Sequence, residues 1–294
     1  MPELPEVETI RCRLAEAIVG RTVKNTVLRR RDVLRYPSGD RKKGQKHGRW
    51  LLMGKEIASV SRLGKQLYIA DKLGLGIRVC LGMSGRIALS GDPEIPKRHR
   101  HITWYFESDT SNPLRMHFID PRRFGGVYAV TGTKDLENRF WNRMGPDALT
   151  ITTEKLRAAT KRTSRNLKSV LLDQNVISGV GNIYADESLH KARLAPQRAA
   201  NTIDDSELRR LASSIRSCLR AACQMGGTTF KDYRNADGDK GEFVKKLRVY
   251  GRQGLNCLSC KSLLEFERLA QRATVWCPRC QPNSEKTHKE YTCR

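Results

Sequence analysis

Near the start of the chain, hydrophobic positions recur at helical spacing. Val7, Ile10, Leu14 and Ile18 fall on one side of a helix, Pro5 can open it and Gly20 can stop it. From Thr22 to about Thr131 the pattern changes to short runs rich in β-formers, separated by Gly, Asp, Asn and Pro clusters. It predicts strands over Thr22–Leu28, Ile57–Arg62, Lys65–Asp71, Ile77–Leu81, His101–Glu107, Leu114–Ile119 and Gly126–Val130. So many short strands in succession predict an antiparallel sandwich or barrel. The basic, loop-rich tract Arg29–Arg49 reads equally as a solvated face or as a phosphate contact.

Alternation is lost from Lys134 to Asp147, which reads as a connection between domains. Helical spacing then returns: Leu167, Val170 and Leu171 mark a helix over Asn166–Asn175, and a second helix runs from Asn182 through Leu189. Between them lies the glycine-bearing turn Val176–Gly181. A helix N-terminus beside glycines can bind phosphate, with Lys168 one helix away, although a plain helical hairpin explains the spacing equally well. A longer helix carries Leu208, Leu211, Ile215, Leu219 and Ala222 on its buried stripe and ends at Gly226-Gly227. The polar segment Thr228–Phe243 reads as a binding loop or a surface connection.

Charge narrows the choice of partner. The 294 residues include 55 Lys and Arg against 31 Asp and Glu, a net charge of +24, which points to a polyanion, with nucleic acid ahead of a membrane surface. No run of about 18 apolar residues and no secretory leader is apparent, so the expectation is a soluble, intracellular, cytoplasmic protein. In that setting nine cysteines argue for metal or free thiols over disulfides. The spacing Cys257-x2-Cys260-x16-Cys277-x2-Cys280 suits one structural zinc held by four thiolates, which leaves no open position for water. Cys12, Cys80, Cys218, Cys223 and Cys293 show no such pairing.

The first residues carry candidate chemistry. Removal of Met1, which a small second residue permits, leaves Pro2 as a secondary amine beside the carboxylate of Glu3. An α-amino group with an ordinary pKa of about 7.7–8.0 is partly neutral near pH 7. It can attack an electrophilic carbon to give an iminium ion while Glu3 moves protons. The plainer reading is a helix start, opened by Pro5 and favoured by acidic residues in its first turn. Three further places are suggestive without being specific. Lys65 follows the turn Leu63-Gly64, Met83 stands between glycines in Leu81–Gly85, and Arg122, Arg123 and Phe124 share a turn after Asp120-Pro121. Apolar wedges and inserted arginines are known devices for unstacking bases.

Taken in order, these pieces resemble one family. Met1-Pro2-Glu3-Leu4-Pro5-Glu6-Val7-Glu8-Thr9, Lys65, Asp120-Pro121-Arg122-Arg123-Phe124-Gly125, Asp173-Gln174-Asn175, Gly179–Glu187, Gly226-Gly227-Thr228-Thr229 and the four cysteines fall as in formamidopyrimidine-DNA glycosylase, over essentially residues 1–282. The resemblance implies an α+β chain: an N-terminal antiparallel β-sandwich with a leading helix, then a helix-two-turn-helix domain and a four-cysteine zinc β-hairpin. The implied divisions are a catalytic β-sandwich domain over 1–133, a linker over 134–148, the helix-two-turn-helix domain over 149–246, the zinc finger over 247–282 and a polar basic tail over 283–294. The implied activity is excision of oxidised purines from double-stranded DNA, followed by strand cleavage at the abasic site, by a monomer. A damaged base must leave the stack before its sugar can be attacked.

By the same resemblance Pro2 is the nucleophile, Glu3 the acid/base, Lys65 the lysine of β-elimination and Arg272 the arginine of δ-elimination and phosphate binding. His99, Lys168 and Asn182 resemble DNA-backbone contacts. Met83, Arg122 and Phe124 resemble the residues that fill the gap left by the flipped nucleotide, with Arg122 reading the opposite base and the loop near Thr228–Tyr233 covering the extruded one. The chain departs from the family pattern at Cys80, where many members have His, at Arg100, where Asp is common, and at Thr163, often basic. Two other readings compete. Endonuclease VIII shares the architecture but prefers oxidised pyrimidines, and Leu4 and the Met83/Arg122/Phe124 set argue against it. A non-catalytic zinc-dependent nucleic-acid-binding protein leaves Pro2, Glu3 and Lys65 idle.

Overall fold

The structure, a computed structural model, describes residues 2–36, 47–90, 95, 98–108, 113–230 and 233–283. Expectations for Met1, the middle of the basic tract, the tip of the 228–233 loop, Cys293 and the tail lie outside the described residues. The chain divides into two compact units, Met1–Arg143 with Cys223–Val244, and Met144–Ala222 with Lys245–Arg294.

The first unit opens with α1 (Leu4–Ile18), whose buried stripe is the predicted Val7, Ile10, Leu14 and Ile18. Two sheets follow. One orders β1 (Val23–Leu28), β7 (Arg100–Phe106), β8 (Arg115–Ile119) and β6 (Arg86–Leu89). The other orders β2 (Leu34–Arg35), β9 (Gly126–Val130), β5 (Gly76–Cys80), β4 (Gln66–Ala70) and β3 (Ser59–Leu63). Inward residues of both sheets, such as Ile69, Val79, Ile87, Ile102 and Phe118, share one core with the helix stripe. The result is the expected β-sandwich with a leading helix. Pairing is antiparallel throughout except between β2 and β9, which run parallel. Both β2 and β6 escaped the sequence pattern: one has two residues, and the other follows Gly85 directly.

The stretch 134–147, expected as a connection, begins instead as a helix, α2 (Thr133–Arg139). Leu136 packs on Tyr68, Ala70 and Val130, with Phe140 and Trp141 beside it. The segment Cys223–Val244 also belongs to this unit: Leu89 N–H donates to the Ala236 carbonyl at 2.7 Å and Arg13 pairs with Asp237 at 2.6 Å.

The second unit holds α3 (Thr153–Thr160), α4 (Leu167–Leu172) and α5 (Asn182–Ala192), then most of α6 (Asp205–Gln224). Asn166 caps α4 by accepting from Ser169 N–H at 2.8 Å. Gln174 staples the turn between α4 and α5, donating to the Leu172 and Val180 carbonyls and accepting from Gly179 N–H, each at 2.9 Å. The unit closes with an antiparallel hairpin of β10 (Glu265–Leu269) and β11 (Arg272–Trp276). Among the described residues no helix is long and apolar enough to cross a membrane.

Candidate DNA-processing site and metal centre

Pro2 and Glu3 are buried at the head of α1, with Glu3 as the N-cap. Glu3 and Glu6 form a reciprocal capping box, in which Glu3 N–H donates to the Glu6 carboxylate at 2.7 Å. The other Glu6 oxygen accepts from Thr228 N–H at 2.7 Å. One buried carboxylate thus ties the peptide next to Pro2 to the root of the 228–233 loop. Gly227 permits this approach: its φ is +86°, and a Cβ there would lie 2.8 Å from Glu6 Oε1.

Lys65 occupies a two-residue turn with Gly64, closed by the pair Leu63–Gln66. Gly64 has φ of 56°, as such tight hairpins require. Arg62, on the strand leading into this turn, donates to the Glu8 carboxylate on α1 at 2.7 Å and to the Gly64 carbonyl at 2.8 Å. Burial alone would raise the Glu8 carboxyl, but hydrogen bonds from Arg11 and Arg62 outweigh it and bring it down to about 2. The Lys65 turn is therefore fixed to the helix that Pro2 precedes, and Glu6, Glu8 and Arg62 are parts of the site that the sequence reading missed.

Met83, Arg122 and Phe124 protrude from two adjoining loops, and the Arg122 guanidinium lies 4.6 Å from the Phe124 ring centroid. His99, at the head of β7, has φ of 65° and accepts at its carbonyl from Asp120 N–H at 3.2 Å. Of the departures, Cys80 accepts from Arg78 at 2.9 Å with its thiol pushed up by burial, Arg100 is half-buried, and Thr163 accepts from Arg165 N–H at 3.2 Å.

In the second unit Lys168, Asn182 and Arg272 converge. Arg272 is exposed just beyond the hairpin turn Ala270-Gln271. The next carbonyl, of Ala273, accepts from Asn182 Nδ2 at 3.0 Å and from Lys168 Nζ at 2.7 Å. The Lys168 side chain, expected at the DNA backbone, is fully enclosed, and its ammonium pairs with Asp186 at 2.7 Å, so in this geometry it faces protein partners. Asp186 also accepts from Val275 N–H at 3.1 Å, and the pair joins helices α4 and α5 to β11.

The four paired cysteines converge too, with all their sulfurs within 4.8 Å of one another. Hydrogen bonds from Ser262 draw the Cys260 thiol down to about 6, while burial holds Cys280 up at about 12. Four such sulfurs ionise together only around a cation, and a set of four soft thiolates suits zinc. Leu264 and Val275 pack behind them.

Residues 1–127 match the family described as Formamidopyrimidine-DNA glycosylase N-terminal domain, and residues 144–234 match the Formamidopyrimidine-DNA glycosylase H2TH domain. The chain is 38% identical over 285 residues to a formamidopyrimidine-DNA glycosylase of Rickettsia africae, covering 96% of this chain and 99% of the relative. It is 38% identical over 283 residues to one of Xanthomonas euvesicatoria, covering 96% and 100%. Among solved structures, a MutM (Fpg) protein from Thermus thermophilus is similar with a TM-score of 0.81 and 37% identity, covering 96% of this chain and all of that one. The Lactococcus lactis Fpg, solved in complex with DNA containing an abasic site, is similar with a TM-score of 0.83 and 28% identity over the same shares.

Proposed function

The chain belongs to the formamidopyrimidine-DNA glycosylase family, and from that premise we propose that it removes oxidised purines such as 8-oxoguanine and formamidopyrimidines from duplex DNA and then cleaves the strand. With Met1 removed, the Pro2 amine attacks C1′ of the damaged nucleotide. The bond from C1′ to the base breaks, the base leaves with a proton, and the sugar opens to an iminium on the proline nitrogen. Glu3, buried beside Pro2, handles these protons. Lys65 takes part in the β-elimination that releases the 3′ phosphate, and Arg272 in the δ-elimination that releases the 5′ phosphate.

The observation that carries this reading is the helix head. A buried acid follows the nucleophilic residue, its backbone held by Glu6, and the lysine turn is tethered to the same helix through Arg62 and Glu8. Asn182, Arg272 and His99 are assigned to the DNA backbone, and Lys168 holds the hairpin on which Arg272 sits. One zinc held by Cys257, Cys260, Cys277 and Cys280 stiffens that hairpin, and its closed coordination leaves it no part in the reaction. Met83, Arg122 and Phe124 enter the duplex in place of the flipped nucleotide. A guanidinium only donates, so Arg122 favours cytosine, with its O2 and N3 acceptors, over adenine, by about 1–3 kcal/mol.

Borohydride reduction on abasic DNA tests the mechanism. It should link the protein to DNA through residue 2. Glu3→Gln should suppress excision of 8-oxoguanine more than cleavage at a preformed abasic site. Full trapping by a form that retains Met1 would refute the proline mechanism, and preferred removal of thymine glycol would favour the endonuclease VIII-like reading instead.

A further inference from the structure

The three places assigned to the gap in the duplex meet at one residue, Asp120. Its side chain is fully buried. One oxygen accepts from the Ser84 hydroxyl at 2.7 Å, and the other from Gly125 N–H at 2.8 Å. The Ser84 oxygen in turn accepts from Arg122 N–H at 3.2 Å. Through its backbone Asp120 donates to the His99 carbonyl at 3.2 Å, and its own carbonyl meets His101 Nε2 at 2.8 Å. The loop of Met83 and the loop of Arg122 and Phe124 are thus joined through one carboxylate and one hydroxyl. Their backbones also touch: a Cβ on Gly82 would lie 2.6 Å from both Gly125 N and the Phe124 carbonyl carbon.

We propose that Asp120 and Ser84 are positioning residues that fix the Met83 loop and the Arg122–Phe124 loop as one rigid body, so that the choice of opposite base depends on them. This rests on the assignment of Met83, Arg122 and Phe124 made above. Among the described residues the donors to this buried carboxylate are Ser84 and Gly125, and loss of either carries a desolvation penalty, so the carboxylate favours the joined arrangement of the loops. Arg122 discriminates between bases only if its backbone is fixed, because a guanidinium on a free loop reaches acceptors on any base. Ser84 is the most informative position: its hydroxyl spans the two loops and it is only partly buried, so its loss leaves the core intact.

The test is single-turnover excision of 8-oxoguanine opposite cytosine and opposite adenine, for wild type, Ser84→Ala, Ser84→Thr and Arg122→Ala. Ser84→Ala should lower the cytosine-over-adenine rate ratio about five- to tenfold, the scale of one ordinary hydrogen bond lost from the link between the loops. The loss should come from a slower reaction opposite cytosine. Ser84→Thr, which restores the hydroxyl, should restore the ratio. Borohydride trapping of Ser84→Ala on single-stranded abasic DNA, which has no opposite base, should match wild type. A wild-type ratio in Ser84→Ala, with the ratio lost in Arg122→Ala, overturns the positioning role alone. A ratio unchanged in Arg122→Ala overturns the base-reading assignment beneath it.

Discussion

Lys168 offers the sharpest test of how the second unit works. Its ammonium and the Asp186 carboxylate lie 2.7 Å apart with both side chains fully buried. Lys168→Met removes one charge and leaves the other buried, with Val275 N–H still donating to it. Stranding a buried charge in this way costs about 3–5 kcal/mol. With a urea dependence of about 2 kcal/mol per M, the unfolding midpoint should fall by roughly 2 M. The double variant Lys168→Met/Asp186→Leu removes both charges and should recover most of the loss, because apolar replacement of a buried pair is often close to neutral. Urea-induced zinc release is the suitable assay, since the pair supports β11, which leads into Cys277. A second measurement separates support from direct contact. If Lys168 neutralised a phosphate, its loss would reduce the slope of log affinity against log salt by about 0.9. The buried pair predicts no change in slope. A slope lowered by that amount, with the zinc-release midpoint unmoved, would refute this reasoning.

Three other expectations follow from the same geometry. The Glu8 carboxyl, at about 2 in the folded chain against 4.5, stabilises fully above pH 4.5 and loses its contribution as pH falls through 2. Thermal melts should show a low-pH decline of on the order of 2–3 kcal/mol that Glu8→Gln flattens, and an unchanged decline would exclude Glu8 as its source. Gly227→Ala, which forces a methyl to within 2.8 Å of Glu6 Oε1 at a φ of +86°, should destabilise by about 1–3 kcal/mol in a melt and slow base excision; a wild-type melting temperature would contradict the tight approach. Metal analysis should find about one zinc per chain. Its removal, or Cys277→Ala, should weaken DNA binding while the circular dichroism of the β-sandwich persists, and DNA binding indifferent to chelation would count against the metal's role.

Much of the architecture was legible because it rests on local periodicity. The stripe Val7, Ile10, Leu14 and Ile18 predicts α1, and most strands of the sandwich alternate or carry β-branched runs and fall close to their predicted bounds. The paired cysteines were legible for a different reason: two short spacings prescribe a four-sulfur site whatever lies between them. What escaped notice depends on contacts between distant residues. The helix Thr133–Arg139 buries Leu136 alone, too little for a visible stripe, and its partners Tyr68 and Val130 lie on other elements. The segment Cys223–Val244 follows the long helix in sequence, yet Glu6, Arg13 and Leu89 draw it into the first unit.

The same division runs through the site. Residue types announce what a side chain can do, and the fold decides whether it faces substrate or protein. Lys168 looks like a phosphate contact because it is a lysine beside a glycine turn, but it sits next to Leu167 on the buried side of α4, and Asp186 is aligned to meet it. Asp120 is the converse. In Asp120-Pro121-Arg122-Arg123-Phe124-Gly125 the arginines and the aromatic attract attention, while the leading carboxylate passes as a turn former. Only the folded chain brings Ser84, 36 positions away, to its side. Arg122 and Phe124 are displayed at the surface, and the carboxylate that links their loop to Ser84 is one no solvent reaches. On the proposed reading, selectivity for a base resides in the buried carboxylate as much as in the exposed guanidinium, since a donor discriminates only from a fixed position.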